Sequence, residues 1–192
     1  MLHIALFGGS FDPVHLGHIK VAETVLNQVP IDQVWFVPAA VHPEKESTMF
    51  SFEQRTEFLK KIVHRNPRFH VCEFDVCESG KSYTIYLIRA LLALYKNHKF
   101  SFIIGADNVM KLKSWHEYQE LLQYIDFLVI DRDVSDKNEW KNLHYYDKLS
   151  FVSMERVDIS SSTIRDRINK KEDYASLVPI EIIEMIDKKK EG

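Results

Sequence analysis

Short apolar runs alternate with helical spacing of apolar residues along this chain, and the alternation limits the folds that it can adopt. Strand-like runs are predicted at 3–7, 33–37, 69–76, 100–104, 127–130 and 149–152. Between the first two, apolar residues recur through 16–29 at the intervals of one helix face. Strands that alternate with helices favour a parallel sheet covered on both faces. The sequence therefore predicts a doubly wound α/β fold, whose ligand binds beyond the strand carboxyl ends where the strand order reverses.

Two pairs of residues have the spacing of a helix-capping box. Ser51 is followed three residues later by Gln54, and Ser114 by Glu117. In such a pair each side chain accepts from the backbone N–H of the other residue. The sequence therefore predicts one helix that starts after Ser51 and a short one that follows Ser114.

Simpler signals predict the remaining helices and one long loop. An apolar helix is expected over 84–95, and two helices close the chain. The first of these opens near Ser162 and the second at Pro179, because proline suits a first helical turn. The polar stretch 131–146 is predicted to be a surface excursion.

Composition narrows the class of protein. The chain has 192 residues, of which 45 % are hydrophobic, which suits one folded domain with a substantial core. The formal net charge of −3 disfavours a nucleic-acid-binding protein. No apolar run reaches the ~18 residues of a membrane helix, and Cys72 and Cys77 are too few for a disulfide framework. These features predict a cytoplasmic protein with reduced thiols and no membrane partner.

The turn after the first strand, from Gly8 to His18, carries the strongest chemical signal. It reads Gly-Gly-Ser-Phe-Asp-Pro-Val-His-Leu-Gly-His. Its glycines let a ligand approach the backbone, and the following helix offers N-terminal N–H groups to a phosphate. His15 and His18 share one helix face because they are three residues apart. Three interpretations stay open: phosphate binding by both imidazoles, a metal site that adds Asp12, and histidines that only cap or cover the helix.

Polar residues in the second half of the chain could complete such a site. The serines at 160–162 precede Arg165 by about one helical turn, so they either cap a helix or bind phosphate with the guanidinium. Gly105 and Asp107 follow a buried strand, and Asp107 either caps a helix or accepts from a ribose hydroxyl. Trp115 is either a core aromatic or a surface on which a flat ring stacks.

These motifs together resemble a known family. The stretch Gly9-Ser-Phe-Asp-Pro13 with His15-x-Gly-His18 resembles the first signature of the nucleotidylyltransferase superfamily, and 159–165 resembles the second. Residues near Thr84, Asp107, Trp115 and Pro179 are similar to its bacterial nicotinate-mononucleotide adenylyltransferase branch. The resemblance implies a Rossmann-like doubly wound parallel sheet of the His-x-Gly-His nucleotidyltransferase type. It further implies a single nucleotidylyltransferase domain over 1–192, in which the helical part at about 160–190 completes the ATP site.

The same resemblance implies a reaction and a set of roles. The reaction is transfer of AMP from ATP to nicotinate mononucleotide, giving deamido-NAD and pyrophosphate in NAD biosynthesis. Mg²⁺ would be held mainly by the phosphates and not by a protein metal site. The implied catalytic residues are His15, His18 and Arg165. The implied ATP-binding residues are Gly8, Gly9, Ser10, Phe11, Gly17, Gly105, Asp107, Ser161 and Ser162, and those for nicotinate mononucleotide are Thr84, Trp115 and Lys45.

Two stretches depart from the family pattern near the expected acceptor pocket. Residues 41–45 read Val-His-Pro-Glu-Lys where the family usually has Pro-Pro-His-Lys. Residues 85–87 read Ile-Tyr-Leu where it usually has x-Asp-Thr. The acceptor therefore stays open between nicotinate mononucleotide, nicotinamide mononucleotide and another phosphorylated acceptor such as pantetheine phosphate. A non-catalytic nucleotide-binding module is a further alternative, and a homo-oligomer is compatible with the sequence.

Overall fold

A computed structural model describes residues 1–40, 48–74, 77–78, 81–131 and 140–190. Its strands within these ranges are β1 (His3–Gly9), β2 (Gln33–Pro38), β3 (Phe69–Val71), β4 (Cys77–Glu78), β5 (Lys81–Ser82), β6 (Lys99–Gly105), β7 (Asp126–Asp131) and β8 (Leu149–Ser153). In the described part of the chain, six strands form one parallel sheet in the order β3-β2-β1-β6-β7-β8. β4 and β5 form a separate antiparallel pair.

The strand order reverses at β1. The chain builds outward from β1 through β2 to β3 and then returns to the other side of β1 with β6. Leu6 in β1 is consequently in register with Trp35 of β2 on one side and Phe102 of β6 on the other. The predicted doubly wound parallel sheet is confirmed, and the carboxyl ends of β1 and β6 meet where such sheets bind ligands.

Helices cover both faces of the sheet. They are α1 (Leu16–Gln28), α2 (Phe52–Val63), α3 (Thr84–Leu94), α4 (Tyr118–Tyr124), α5 (Ser161–Lys170) and α6 (Ile180–Lys190). Side chains of β1 alternate between the faces, so Ala5 joins the core beneath α1, α2, α5 and α6, whereas Ile4 and Leu6 join the core beneath α3 and α4. All three are fully buried. Within the described residues, no helix is both long and apolar enough to cross a membrane.

The two predicted capping boxes have different outcomes. At α2 the box is confirmed, because the N–H of Ser51 donates to Oε1 of Gln54 at 3.0 Å and the N–H of Gln54 donates to Oγ of Ser51 at 3.3 Å. The box at Ser114 is wrong. Ser114 Oγ instead donates to the carbonyl of Lys111 at 2.7 Å, and α4 begins only after Glu117, whose φ is 50° and whose carboxylate pairs with Arg89 of α3.

Two further predictions need correction. The third strand ends at Val71, earlier than the predicted run 69–76, whose positions 75 and 76 lie outside the described residues. The predicted surface excursion over 131–146 is wrong for its last residues, because Trp140 and Tyr145 are buried. Tyr145 Oη donates to the carbonyl of Val109 at 3.0 Å, so this segment packs back onto the fold.

Candidate active site

A cavity of about 520 Å³ opens at the carboxyl edge of the sheet, where the strand order reverses. Its wall is formed by the ends of β1, β2 and β6, the start of α3 and the segment that follows β6. The volume lies in the range of small-molecule sites. The structure thus brings to one cavity six residues predicted for the two substrates: Gly8, Gly9, Thr84, Gly105, Asp107 and Trp115.

Two glycines in the first turn lie in close contact with aromatic rings. A Cβ atom at Gly8 would lie 2.6 Å from Cζ of Phe102, a ring that also lines the cavity. A Cβ atom at Gly17 would lie 3.0 Å from both Cε1 and Nδ1 of His15. The close approach expected at Gly17 is therefore made by the His15 ring, and Gly17 serves the site by leaving room for that imidazole.

The two histidines of the turn form a stacked pair. Their ring centroids lie 3.6 Å apart with 28° between the planes, and His15 is only 6 % exposed. The backbone N–H of His15 donates to Nδ1 of His18 at 3.2 Å, so the capping interpretation is confirmed for His18. Because Nδ1 accepts this bond, a neutral His18 ring carries its hydrogen on Nε2. His18 thereby caps the start of α1.

Phe11 and Asp12 shape the turn from inside. Phe11 has φ 48° and its ring is 1 % exposed, packed edge-on against His18 with 5.0 Å between centroids. Phe11 is therefore part of the packing behind the turn, and it is not among the residues that line the cavity. The carboxylate of Asp12 accepts from the N–H groups of Met49 and Phe50 at 2.9 and 2.8 Å. This use of both carboxylate oxygens disfavours Asp12 as a metal ligand.

The second motif lies directly on the first. Ser160 caps α5, since its Oγ accepts from the N–H of Thr163 at 3.1 Å. Ser161 Oγ donates to the carbonyl of Pro13 at 3.0 Å, and Arg165 Nη1 donates to the carbonyl of Asp12 at 2.7 Å. Two motifs about 145 residues apart in the sequence thus share one surface. Ser162, at the same helix start, is exposed.

The cavity residues differ in their exposure. The Asp107 side chain is 72 % exposed and lies 3.9 Å from Nζ of Lys111. Trp115 is half-buried and packs edge-on against Phe102 with 5.8 Å between ring centroids. Thr84 is the first residue of α3. Lys45 and the departures at 41–44 lie outside the described residues.

Arg55 is a site residue that the sequence motifs do not include. It is 1 % exposed and donates from Nη1 to the carbonyl of Ser10 at 2.6 Å. The apolar spacing of α2 indicates that Arg55 is buried, because Phe58, Leu59 and Ile62 follow it by three, four and seven residues. Arg55 therefore lies on the buried helix face, where an unexplained charge indicates a specific partner.

Comparison with known proteins gives the family. A family model described as cytidylyltransferase-like matches residues 6–167. A protein of Shouchella clausii, named "Probable nicotinate-nucleotide adenylyltransferase", is 39 % identical over 171 residues, which is 88 % of this chain and 86 % of that protein. The chain belongs to the nicotinate-nucleotide adenylyltransferase family. The resemblance read from the sequence is confirmed, and as a member the chain is a nucleotidyltransferase enzyme.

Further members of the nicotinate-nucleotide adenylyltransferase family match over nearly the whole chain. A protein of Oceanobacillus iheyensis with the same name is 34 % identical over 186 residues, covering 97 % of this chain and 94 % of that protein. Among solved structures, Plasmodium falciparum nicotinic acid mononucleotide adenylyltransferase complexed with NaAD superposes with a TM-score of 0.81. That comparison has 23 % identity and covers 98 % of this chain and 96 % of the other. It supports the Rossmann-like nucleotidyltransferase fold.

Proposed function

We propose that this protein transfers AMP from ATP to nicotinate mononucleotide, giving deamido-NAD and pyrophosphate in NAD biosynthesis. The observation that carries the proposal is the contact between the first turn and the start of α5, the two segments that we propose to bind phosphate. Arg165 reaches the first turn at Asp12, and Ser161 reaches it at Pro13. The imidazole of His18 packs on Phe11 of the first turn and the guanidinium of Arg165 bonds to Asp12, while Gly8 and Gly9 of the same turn line the cavity. Family membership supports the same reaction.

The first turn and α5 are proposed to bind ATP. His15, His18 and Arg165 would act on the phosphates as the catalytic residues, because fixed donors and positive charge stabilise a phosphoryl transition state. We propose that residues 1–192 form one domain, in which the helical part at about 160–190 completes the ATP site. The residues assigned to ATP are Gly8, Gly9, Ser10, Phe11, Gly17, Gly105, Asp107, Ser161 and Ser162.

The acceptor is proposed to lie in the cavity with its ring on Trp115. Thr84 would stand near the ring carboxylate, and Lys45 stays assigned to the acceptor as a prediction. A flat pyridine ring stacks on indole with a free energy of about 1–3 kcal/mol. The half-buried setting of Trp115 in the cavity wall supports this role. Pantetheine phosphate has no aromatic ring for this surface, so it is the weaker alternative.

The chemistry needs positioning more than acid–base catalysis. A phosphate oxygen of the mononucleotide attacks the α-phosphorus of ATP, a new P–O bond forms, and the bond to the bridging oxygen breaks to release pyrophosphate. A phosphate monoester has a second pKa near ~6 and is largely ionised at neutral pH, so no general base is required. His18 donates from Nε2 toward the charge that develops on the phosphates, and Arg165 steadies the triphosphate.

Mg²⁺ is proposed as the partner of the triphosphate. In the described residues, no three His, Cys, Asp or Glu side chains are grouped so as to hold a metal ion. Phosphates and water are the usual ligands of magnesium when it is bound with nucleotides. When bound, Mg²⁺ would offset phosphate charge. The hydroxyl of Ser162 and the backbone N–H groups of Ser161 and Ser162 at the start of α5 would help to hold the same triphosphate.

One assay tests the proposal. The protein is incubated with ATP and Mg²⁺ and separately with nicotinate mononucleotide, nicotinamide mononucleotide or phosphopantetheine, and pyrophosphate and the dinucleotide are measured. We expect the greatest turnover with nicotinate mononucleotide. Turnover only with phosphopantetheine would contradict the acceptor. ATP binding by calorimetry without pyrophosphate release from any acceptor would contradict catalysis and favour a nucleotide-binding module.

A further inference from the structure

One segment of the chain forms a wall of the cavity and carries groups proposed for both substrates. This wall segment, residues 106–115, consists of two short 3₁₀ helices, Ala106–Asn108 and Met110–Ser114, followed directly by Trp115. Asp107, Lys111 and Trp115 line the cavity. Runs of 3₁₀ helix are short, and their hydrogen-bond geometry is poorer than that of an α-helix. The shape of this wall therefore depends on contacts with the rest of the fold.

Buried apolar side chains hold the wall segment from behind. Val109 is fully buried and Leu112 is 1 % exposed, and both belong to the core beneath α3 and α4. Apolar packing is non-directional, so it fixes the depth of the segment better than its position along the core surface. A hydrogen bond has a preferred angle and length, so it fixes what apolar packing leaves free.

Tyr145 supplies this directional contact from another part of the chain. Its Oη donates to the carbonyl of Val109 at 3.0 Å, and the residue is 1 % exposed. The same carbonyl accepts from the N–H of Leu112 at a longer distance of 3.4 Å. Burial raises the pKa of the Tyr145 hydroxyl above its ordinary value of 10, so the hydroxyl keeps its proton and remains a donor at neutral pH.

The carbonyl that Tyr145 holds lies between the two substrate groups of the wall segment. Val109 follows Asp107 by two residues and precedes Trp115 by six. Because so few residues separate Val109 from either group, a shift of its carbonyl moves both side chains. The proposed catalytic residues belong to the first turn and α5, so the same shift leaves them in place.

We propose that Tyr145 is a positioning residue for both substrates, which places Asp107 and Trp115 through the carbonyl of Val109. This inference rests on the proposed function, because it uses the assignment of Asp107 to ATP and of Trp115 to the acceptor. The ribose and the pyridine ring are remote from the reacting phosphates. Contacts to such parts stabilise the ground state and the transition state alike, so their loss raises KM and leaves kcat unchanged.

The first test is Tyr145→Phe, which removes the hydroxyl and keeps the buried ring. It should raise KM for ATP and KM for nicotinate mononucleotide by about three- to tenfold each, the range that one neutral hydrogen bond is worth, and leave kcat within about twofold. Steady-state kinetics with each substrate varied in turn measure these constants. The matched control is Tyr146→Phe at the next residue, whose ring packs against Phe151 with 5.9 Å between centroids, and it should keep both KM values.

A double variant tests the route through Trp115. In a Trp115→Ala background, Tyr145→Phe should no longer raise KM for the mononucleotide, because the ring that Tyr145 positions is absent. It should still raise KM for ATP, because Asp107 is present. An effect on the mononucleotide KM that persists in this background overturns the route through Trp115.

The possible failures are distinguishable. Urea unfolding of Tyr145→Phe measures its stability, and a loss of stability with both KM values unchanged means that Tyr145 only satisfies a buried carbonyl, which overturns the inference. A change in only one of the two KM values overturns a shared positioning role. Absence of pyrophosphate release by the wild type with every acceptor overturns the proposed function, and this inference with it. Circular dichroism of Tyr145→Phe should match the wild type, since the buried ring is kept.

Discussion

Arg55 Nη1 donates to the carbonyl oxygen of Ser10 across 2.6 Å, so a buried guanidinium on α2 supports the glycine-rich turn. The same side chain donates from Nε to the carbonyl of Phe50 at 3.2 Å. The N–H of Phe50 in turn donates to Asp12 at 2.8 Å, and Arg165 of α5 lies on the carbonyl of Asp12. One network therefore joins α2, the first turn and α5. The geometry of the turn depends on residues outside the two motifs.

Replacement of Arg55 tests this network. Arg55→Met should lower the free energy of unfolding by about 3 kcal/mol, because carbonyls that now accept from a buried cation lose their donor. It should also lower kcat/KM by roughly 10²-fold, since a displaced turn misaligns the phosphates. Urea unfolding and the pyrophosphate assay measure the two effects. Arg55→Lys should recover only part of each, while exposed Arg68→Met serves as the control. Wild-type kinetics in Arg55→Met would contradict the role of Arg55.

His18 is expected to have two separable roles. His18→Ala should lower kcat by roughly 10²–10³-fold if Nε2 donates in the transition state. It should also cost about 1 kcal/mol of stability, because Nδ1 accepts the N–H of His15 at the start of α1. His18→Asn keeps a short acceptor for that cap, so we expect it to recover stability but not turnover. Turnover equal to the wild type in His18→Ala would contradict the catalytic assignment.

The Arg65–Glu181 pair gives a prediction about pH. Arg65 donates to both oxygens of Glu181 at 2.7 and 2.6 Å, which joins the end of α2 to α6 and lowers the pKa of Glu181 below its ordinary value of 4.5. The stabilisation is thus present above pH 4.5 and is lost as the pH falls through the lower pKa of the folded state. Both groups are about one-third exposed, so Glu181→Gln should cost only about 0.5 kcal/mol at neutral pH.

Urea unfolding of the wild type and Glu181→Gln from pH 7 down to pH 3 checks this expectation. The difference between them should shrink toward zero at the acidic end, because a protonated Glu181 resembles Gln. Exposed Glu184→Gln on the same helix should differ little from the wild type at any pH. A difference for Glu181→Gln that stays constant to pH 3 would show that it does not come from the ionised pair.

Local sequence patterns predicted the bounds of those helices and strands whose own residues have a clear apolar spacing. The apolar spacing of 16–29 predicted α1 to within one residue, and the boundaries of β2 and β8 were predicted equally closely. The alternation of strands and helices predicted the doubly wound sheet, since parallel strands require crossover connections. The two motifs were predicted to belong to one site, and they do meet, since Ser161 contacts Pro13 and Arg165 contacts Asp12.

Long-range partners explain what the sequence did not predict. Ser114 and Glu117 have the spacing of a capping box, but the Glu117 carboxylate pairs with Arg89, 28 residues earlier, and with His116. Tyr145 is polar at its tip, yet it is buried because Val109 offers a carbonyl. The apolar spacing of α2 indicates that Arg55 is buried, but its bond to the Ser10 carbonyl is a contact between elements, which local spacing does not contain. The residues that adjust the site are therefore harder to predict than the motifs that define it.

Trp115 is expected to act on one substrate only. Trp115→Ala should raise KM for the pyridine mononucleotide by about tenfold or more, because a stacked ring loses roughly 1–3 kcal/mol, and it should leave KM for ATP within about twofold. Trp115→Phe keeps a smaller aromatic surface and should give an intermediate value. Steady-state kinetics with each substrate varied in turn measure both constants. Equal losses for ATP and the mononucleotide would mean that Trp115 acts through its packing against Phe102, at 5.8 Å, and not by stacking on the acceptor.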